Sequence, residues 1–358
     1  MLAIVGFGNL NIMQYLLKYT LILDEQGIDY DVIYWNRSGT NEPINFNGNP
    51  IAFEQRMNTY QPFHKKILGF IKYSLFLRQQ ISKKNYDKLI VLTTQTAIPL
   101  FDILTRKFKG RFVYDYRDVT KETKFKFYAA MVKRLVKASK YTMISSKGFL
   151  PQIGLKDAPN IITAHNTREP ISSDGYKVHI SRGEPIRLVF WGMVRQVEHN
   201  KKICDALGND HRFTLTYHGE GFYKELEQYC NEKGYKNIVF TGRYNLQDIP
   251  EFIDSTDILH CIYENDTTQK NAMPVKPYDA IRYRLPMVVS KGSYLEKFFQ
   301  DCNGVFSVDI ENLTLAPDKL YDWYKCLNGE HIERDLYAVQ TKINADDSIF
   351  NERLLDFV

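Results

Sequence analysis

Three short segments of the chain combine residue types that can bind a phosphorylated ligand, and each follows an apolar run. The first is the glycine-containing segment 6–9, the second is Gly192 followed three positions later by Arg195, and the third spans residues 271–280. A glycine turn that leads into a helix offers backbone N–H groups to an anion, and the guanidinium fork of an arginine suits a diphosphate. Open α/β sheets bind ligands at the carboxyl ends of their strands, so these segments are the first candidates for a site. A tight turn without a ligand explains the first segment as well, and a lone arginine after a strand is more often a solvated surface charge.

The first segment matches only part of a dinucleotide fingerprint. Gly6 and Gly8 fit the first two glycines of G-x-G-x-x-G, but Asn11 stands where the third belongs. The next predicted strand ends at residues 35–37 without the acidic residue that holds an NAD ribose. An NAD-dependent oxidoreductase is therefore the weakest of the interpretations.

The third segment resembles the nucleotide-sugar segment of retaining GT-B glycosyltransferases of the family-four type. Many members read M-P-x-K-x-x-E-x, five further residues and P-V-V-x-S, or close to it. Residues 273–279 and 286–290 follow that order here, with Asp279 in place of the glutamate. Further segments that resemble the family's motifs, in the family's order, are 113–118, 144–146, 165–166, 192–195, 217–221 and 239–257. Each motif is weak by itself, and the resemblance rests on their shared order over nearly the whole chain.

The resemblance implies roles for individual residues. Asp279 falls where the family has a carboxylate that accepts hydrogen bonds from the nucleotide ribose. Lys276 and Arg195 would neutralise the leaving diphosphate and are the expected catalytic residues. The glutamate that contacts the donor sugar in the family falls on Asn271. The expected substrate-binding residues are Asp279, Asn271, Gly192, Gly8, Asn9, Pro274, Tyr278, Gly219 and Arg117.

The function that the resemblance implies is transfer of a sugar from a nucleoside diphosphate sugar to a glycan or lipid-linked saccharide. We expect a UDP-linked donor, retention of configuration and a place in surface polysaccharide synthesis. A catalytically silent nucleotide-sugar-binding partner subunit stays open because of Asn271. A nucleotide-sugar epimerase on the same architecture also stays open, although it would need a histidine in the cleft, and only His165 and His218 lie near predicted strand ends.

The order of the elements predicts an α/β fold with two domains. Short apolar strands alternate with helical stretches in the first half, and the pattern restarts near residue 185. We expect two Rossmann-like, doubly wound parallel-sheet domains that face each other across a cleft, as in the GT-B fold. The predicted parts are an acceptor domain at 1–170, a donor domain at 171–335 and a helix at 336–358 that returns to the first domain.

The charge is unevenly distributed along the chain. Residues 1–180 carry 26 basic and 14 acidic side chains, a net charge of +12, whereas the remaining residues carry a net charge of −7. Residues 125–140 form a predicted basic helix whose apolar side comprises Phe125, Phe127, Met131, Leu135 and Val136. Such a helix suits an anionic membrane surface, although a core-facing helix with a solvated basic face explains it as well. No recognition motif for nucleic acid is present.

No metal or other cofactor is expected, because basic residues can offset the charge of the diphosphate. Asp29-Tyr30-Asp31 has the form of a metal motif, but it opens a strand, and we expect surface carboxylates there. The five cysteines are widely spaced and form no C-x-x-C pair, which favours a reducing compartment. The predicted location is cytoplasmic, peripheral on the inner face of the membrane if the basic helix binds lipid.

Overall fold

The computed structural model describes residues 1–13, 15–40, 43–57, 63–119, 124–167, 170–173, 175–266 and 269–358. The chain divides into two compact units. Met1–Pro170 and Ala345–Val358 form the first, and Ile171–Asn344 forms the second. Each unit contains one parallel sheet with helices between its strands. The predicted fold class, two Rossmann-like parallel α/β units of the GT-B type, is confirmed.

The first unit is built on a seven-stranded sheet in the order β3-β2-β1-β4-β5-β6-β7. Its strands are Leu2–Val5 (β1), Tyr30–Asn36 (β2), Asn49–Glu54 (β3), Lys88–Leu92 (β4), Phe112–Tyr116 (β5), Tyr141–Ile144 (β6) and Ile161–Thr163 (β7). Its helices are Leu16–Glu25 (α1), Phe63–Lys84 (α2), Thr94–Ala97 (α3), Phe101–Thr105 (α4) and Lys126–Ala138 (α5). β1 pairs with both β2 and β4, so the direction of winding reverses there, and their carboxyl ends flank the crevice where such sheets bind ligands.

The second unit repeats this plan with six strands in the order β10-β9-β8-β11-β12-β13. Its strands are Ile186–Trp191 (β8), Phe213–His218 (β9), Ile238–Gly242 (β10), Ile258–Cys261 (β11), Met287–Ser290 (β12) and Val305–Val308 (β13). Its helices are Val197–Leu207 (α6), Tyr223–Lys233 (α7), Ile249–Ile253 (α8), Lys276–Arg282 (α9), Tyr294–Phe298 (α10) and Ala316–Lys325 (α11). The reversal lies at β8, which pairs with β9 and β11.

The last helix, Gly329–Phe357 (α12), contributes to both units. Its final part packs into the first unit, where the buried Phe350 ring lies 5.3 Å from that of Tyr19. The points at which the chain enters and leaves the second unit are joined by hydrogen bonds of the Asn344 side chain, and Gln340 Nε2 also donates to the Ile171 carbonyl at 2.8 Å. The amide of Asn344 accepts a hydrogen bond from the Ile171 N–H at 3.0 Å and donates one to the Ile171 carbonyl at 3.1 Å.

Two expectations about exposure differ from the structure. Asp31, expected at the surface, is buried, and its carboxylate accepts hydrogen bonds from Lys84 Nζ at 2.9 Å and Asn49 Nδ2 at 2.8 Å. That expectation is wrong because β2 is buried along its whole length. The predicted apolar side of the basic helix also divides, since Leu135 faces the core whereas Phe127 is 66% exposed.

None of the helices in the described ranges is long and apolar enough to cross a membrane.

Candidate functional site

Two glycine turns lie in contact at the carboxyl ends of β8 and β9. Gly192 and Gly219 both have positive φ angles, +133° and +151°. The Gly192 N–H donates to the carbonyl of His218 at 2.9 Å. A β-carbon on Gly219 would lie 1.7 Å from the Gly192 carbonyl oxygen, so this approach requires glycine at position 219. The turns therefore bring two stretches of backbone together at the reversal point of the sheet.

Lys276, the first residue of α9, places its ammonium group beneath the first of these turns. Its Nζ atom lies 3.9 Å from the centre of the Phe190 ring and 5.2 Å from that of Tyr263. The same atom is 3.3 Å from the place that a β-carbon on Gly192 would occupy. Burial lowers the pKa of Lys276 from 10.5 to about 8, helped by the charge of Arg195 and opposed by Cys261 and Asp279. A cation held mainly by aromatic rings is available to pair with an anion.

Asp279 lies one turn further along α9 and is held by the last residue of β8. The indole Nε1 of Trp191 donates a hydrogen bond to its Oδ2 at 2.9 Å. Burial raises the pKa of the Asp279 carboxyl, whereas the Trp191 hydrogen bond and the charges of Lys276 and Arg282 oppose that rise. An ammonium group and a carboxylate thus lie close together at the carboxyl end of β8, an arrangement that can pair with an anion and accept hydrogen bonds from hydroxyl groups.

Aromatic side chains and a histidine surround this pair. The rings of His218 and Phe252 are stacked at 3.8 Å, and the His218 Nδ1 is 2.8 Å from the hydroxyl of Thr241. Tyr244 packs edge-on against Phe252 at 5.5 Å. Burial raises the pKa of the Tyr244 hydroxyl, and the negative charge of Asp279 raises it further.

The other predicted residues of the second unit lie around α9 and the first turn. Arg195 is exposed, on the turn between β8 and α6, and its carbonyl accepts a hydrogen bond from Asn200 Nδ2 at 2.6 Å. Asn271 ends a short 3₁₀ turn, and both it and Pro274 are partly buried. Tyr278 packs in the hydrophobic core, where it supports α9.

In the first unit, Gly8 and Asn9 occupy the turn after β1. Gly8 has a φ angle of +128°, and a β-carbon there would meet no atom within 4 Å. The Asn9 amide donates to the Ser38 hydroxyl at 2.6 Å and accepts from the Arg37 N–H at 2.9 Å, so it joins the turns after β1 and β2. The open face of this turn is consistent with a ligand, and Asn9 helps to fix its shape.

Arg117, after β5, is enclosed by the first unit. Its guanidinium forms an ion pair with Asp115 at 2.7 Å and donates to the carbonyl of Ala164 at 2.9 Å. The side chain is only 3% exposed, and Asp115 is fully buried. These contacts give Arg117 a role in holding β5 to the segment after β7.

Three aromatic residues that contact the ammonium and carboxylate groups carried no predicted role. Phe190 and Trp191 end an apolar strand, and Tyr263 follows another, so in the sequence they resemble core residues. The signal that could have found them is their place immediately before or after strand ends that carry glycine or charge.

Comparisons with models of protein families and with curated proteins gave no match.

Solved structures match the chain over its full length. The sucrose-phosphate synthase of Thermosynechococcus elongatus has a TM-score of 0.72 and 12% identity, with 100% of this chain and 99% of that one covered. The lipopolysaccharide outer core galactosyltransferase WaaB, in its apo form, has a TM-score of 0.66 and 14% identity, with 98% and 100% covered. Anabaena Alr3699/HepE, solved in complex with UDP-glucose, has a TM-score of 0.65 and 13% identity, with 99% and 98% covered. At these identities the likeness establishes the GT-B fold.

Proposed function

We propose that the protein is a glycosyltransferase that moves a sugar from a nucleoside diphosphate sugar to a glycan or lipid-linked saccharide acceptor. The observation that carries this proposal is the placement of Lys276 and Asp279 on one turn of α9. There they lie against Phe190 and Trp191 at the reversal point of the sheet. Full-length likeness to sugar-transferring enzymes supports the same conclusion. We expect UDP as the nucleotide, since the structurally similar HepE was solved with UDP-glucose.

The chemistry assigned to the site is electrostatic. When the bond between sugar and diphosphate breaks, negative charge develops on the leaving group, and fixed positive groups lower the barrier. Lys276 is partly deprotonated near pH 8 without a ligand, so a diphosphate beside it would raise its pKa and favour the ammonium form. Arg195 is exposed and free to add a second cation, and Asp279 would bind the ribose hydroxyls. Retention of configuration and a place in surface polysaccharide synthesis follow from the resemblance of the motifs.

A thermal-shift screen with UDP, GDP, CMP and NAD tests the binding part of the proposal. A ligand at about 100 times its dissociation constant stabilises a protein by roughly 2.7 kcal/mol. We expect one nucleoside diphosphate to stabilise the wild type and to lose that effect in Asp279→Ala, while Asp301→Ala, an exposed aspartate of the same unit, keeps it. A response to NAD alone would contradict the proposal.

Turnover separates an enzyme from a silent binding subunit. Release of UDP from a panel of UDP-sugars, measured with saccharide and lipid-linked acceptors, should occur in the wild type and fall by about 10²-fold or more in Lys276→Met. The same rate is expected with and without EDTA, because the proposal assigns no step to a metal or other cofactor. Tight binding of UDP-sugars with no turnover on any acceptor would favour the silent subunit, in which Asn271 replaces the sugar-binding carboxylate.

For the acceptor side we propose contact with an anionic membrane surface through the first unit. Phe125 and Phe127 are 48% and 66% exposed beside the lysines of α5. Such a surface combines apolar insertion with attraction of about 1 kcal/mol for each basic residue. In a flotation assay, the protein should rise with liposomes only when they contain anionic lipid, and Phe127→Ser should reduce the fraction that floats. Equal flotation with neutral lipid would exclude a role for the basic residues, and no flotation with either lipid would exclude a membrane partner and leave a soluble glycan as the acceptor.

A further inference from the structure

We propose that Trp191 is a positioning residue for the nucleotide, whose indole N–H holds the Asp279 carboxylate in the orientation that receives a ribose hydroxyl. The inference rests on the proposed function and adds to it a residue with no charge and no predicted role.

The sheet fixes the position of the indole. Trp191 is the last residue of β8, is 2% exposed, and packs with its ring tilted against Phe252 at 6.5 Å. An indole has a single N–H donor and no acceptor, so its one polar contact is the hydrogen bond to Asp279 Oδ2 at 2.9 Å. Breaking this bond would leave a buried donor unsatisfied, at a considerable cost in free energy, so the bond is favoured in the folded protein.

The carboxylate has one anchored oxygen and one that remains available. In the part of the chain that the structure describes, Trp191 alone donates a hydrogen bond to the Asp279 carboxylate, and Lys276 and Arg282 act on this group through their charges. A carboxylate has about four lone-pair sites and readily accepts several donors. Fixing Oδ2 stops rotation of the group and leaves Oδ1 to accept a hydroxyl.

The same hydrogen bond helps to keep Asp279 ionised. Burial raises the pKa of this carboxyl, and the Trp191 N–H opposes the rise. The titratable and charged groups that interact with it are Lys276, Arg282, Tyr283, Tyr244, Cys261 and Tyr263. Loss of the indole N–H should therefore weaken nucleotide binding more at low pH than at high pH.

A double-mutant cycle with two nucleotides tests this role. Titration calorimetry would compare UDP with 2′,3′-dideoxy-UDP in wild type, Trp191→Phe, Asp279→Ala and the double variant. Trp191→Phe keeps an aromatic ring but removes the donor. The matched control is Trp323→Phe, because Trp323 lies on α11 and its indole N–H donates to the Asn303 carbonyl instead. We expect Trp191→Phe to weaken UDP binding roughly tenfold, as loss of a hydrogen bond to a charged group does. We expect no effect on the dideoxy nucleotide, on the Asp279→Ala background or in the control.

The outcomes separate the inference from the proposed function. An equal loss for both nucleotides, or the same loss with and without Asp279, would mean that Trp191 only packs, and would overturn the inference while the proposed function stands. No binding of UDP or GDP by the wild type would overturn both. If Trp191→Phe fails to fold, the tryptophan emission of wild type and Asp279→Ala decides the matter. The inference requires a changed emission when the acceptor is removed, and an unchanged spectrum would overturn it.

Discussion

Replacing Lys276 by methionine should make the unliganded protein more stable at neutral pH while removing its response to nucleotide. The pKa of Lys276 is about 8 in the folded protein, against an ordinary value of 10.5, because folding takes the ammonium group out of water. At 1.36 kcal/mol per pKa unit, the gap corresponds to a cost of about 3 kcal/mol below pH 8. Methionine avoids this cost but loses the contact of the ammonium with Phe190, worth about 1–2 kcal/mol. The expected net gain is therefore about 1–2 kcal/mol.

The stability difference between wild type and Lys276→Met should depend on pH, because the pKa of Lys276 is lower in the folded protein than in the unfolded chain. Between pH 8 and 10.5 the unfolded chain holds the Lys276 proton and the folded protein does not, so wild-type stability rises with pH relative to the variant. The advantage of Lys276→Met should shrink by about 1 kcal/mol between pH 7 and pH 9. The effects of Cys261, Asp279 and Arg195 on this ammonium group are already contained in its pKa.

Urea unfolding at the two pH values measures the difference directly. Lys291→Met, at an exposed lysine after β12 in the same unit, is the matched control and should change stability by less than about 0.5 kcal/mol at either pH. A variant that is less stable than wild type at pH 7, or an advantage that does not shrink at pH 9, would refute the reasoning. That result would mean that Lys276 carries its proton at little cost and that its site is well hydrated.

Three further substitutions test the framework around the site. Gly219→Ala should destabilise the protein by at least about 2 kcal/mol in urea, because the new β-carbon would meet the Gly192 carbonyl at 1.7 Å; unchanged stability would mean that the turns separate easily. Arg117→Met should cost about 3–5 kcal/mol, since it leaves the buried Asp115 carboxylate without a positive charge beside it, and a second change, Asp115→Leu, should recover part of that loss. Phe350→Ala should cost about 3–5 kcal/mol as a large buried side chain, and a smaller effect would show that the end of α12 packs loosely.

The sequence predicted the central strands and one edge strand, β10, but missed the other three edge strands. β3, β7 and β13 gave no distinct signal, and all three lie at the edges of their sheets. An edge strand pairs on one side only and is less completely covered, so its apolar pattern is weak, as the largely exposed or half-buried residues of β3 and β13 show. Central strands such as β1, whose four residues are all buried, read as continuous apolar runs.

The candidate site was predictable where charge or glycine marks it. Lys276, Asp279 and Gly192 carry such marks, and the structure places all three at the carboxyl end of β8 or on the adjacent α9. Their roles as ligands of a nucleotide sugar remain predictions. The hydrogen bond between Trp191 and Asp279 joins residues 88 positions apart, and no local sequence pattern predicts such a pairing.

The pair of hydrogen bonds between the Asn344 side chain and the Ile171 backbone, here called the clasp, affects how the chain folds. The second unit is inserted in the first. During synthesis, Ala345–Val358, the last segment of the first unit, is therefore made only after the whole of Ile171–Asn344. When the second unit folds, the clasp brings the two interrupted ends together. Closing an unstructured loop of that length costs about 4–5 kcal/mol of chain entropy. Folding of the inserted unit therefore lowers the entropy cost of joining the two separated parts of the first unit.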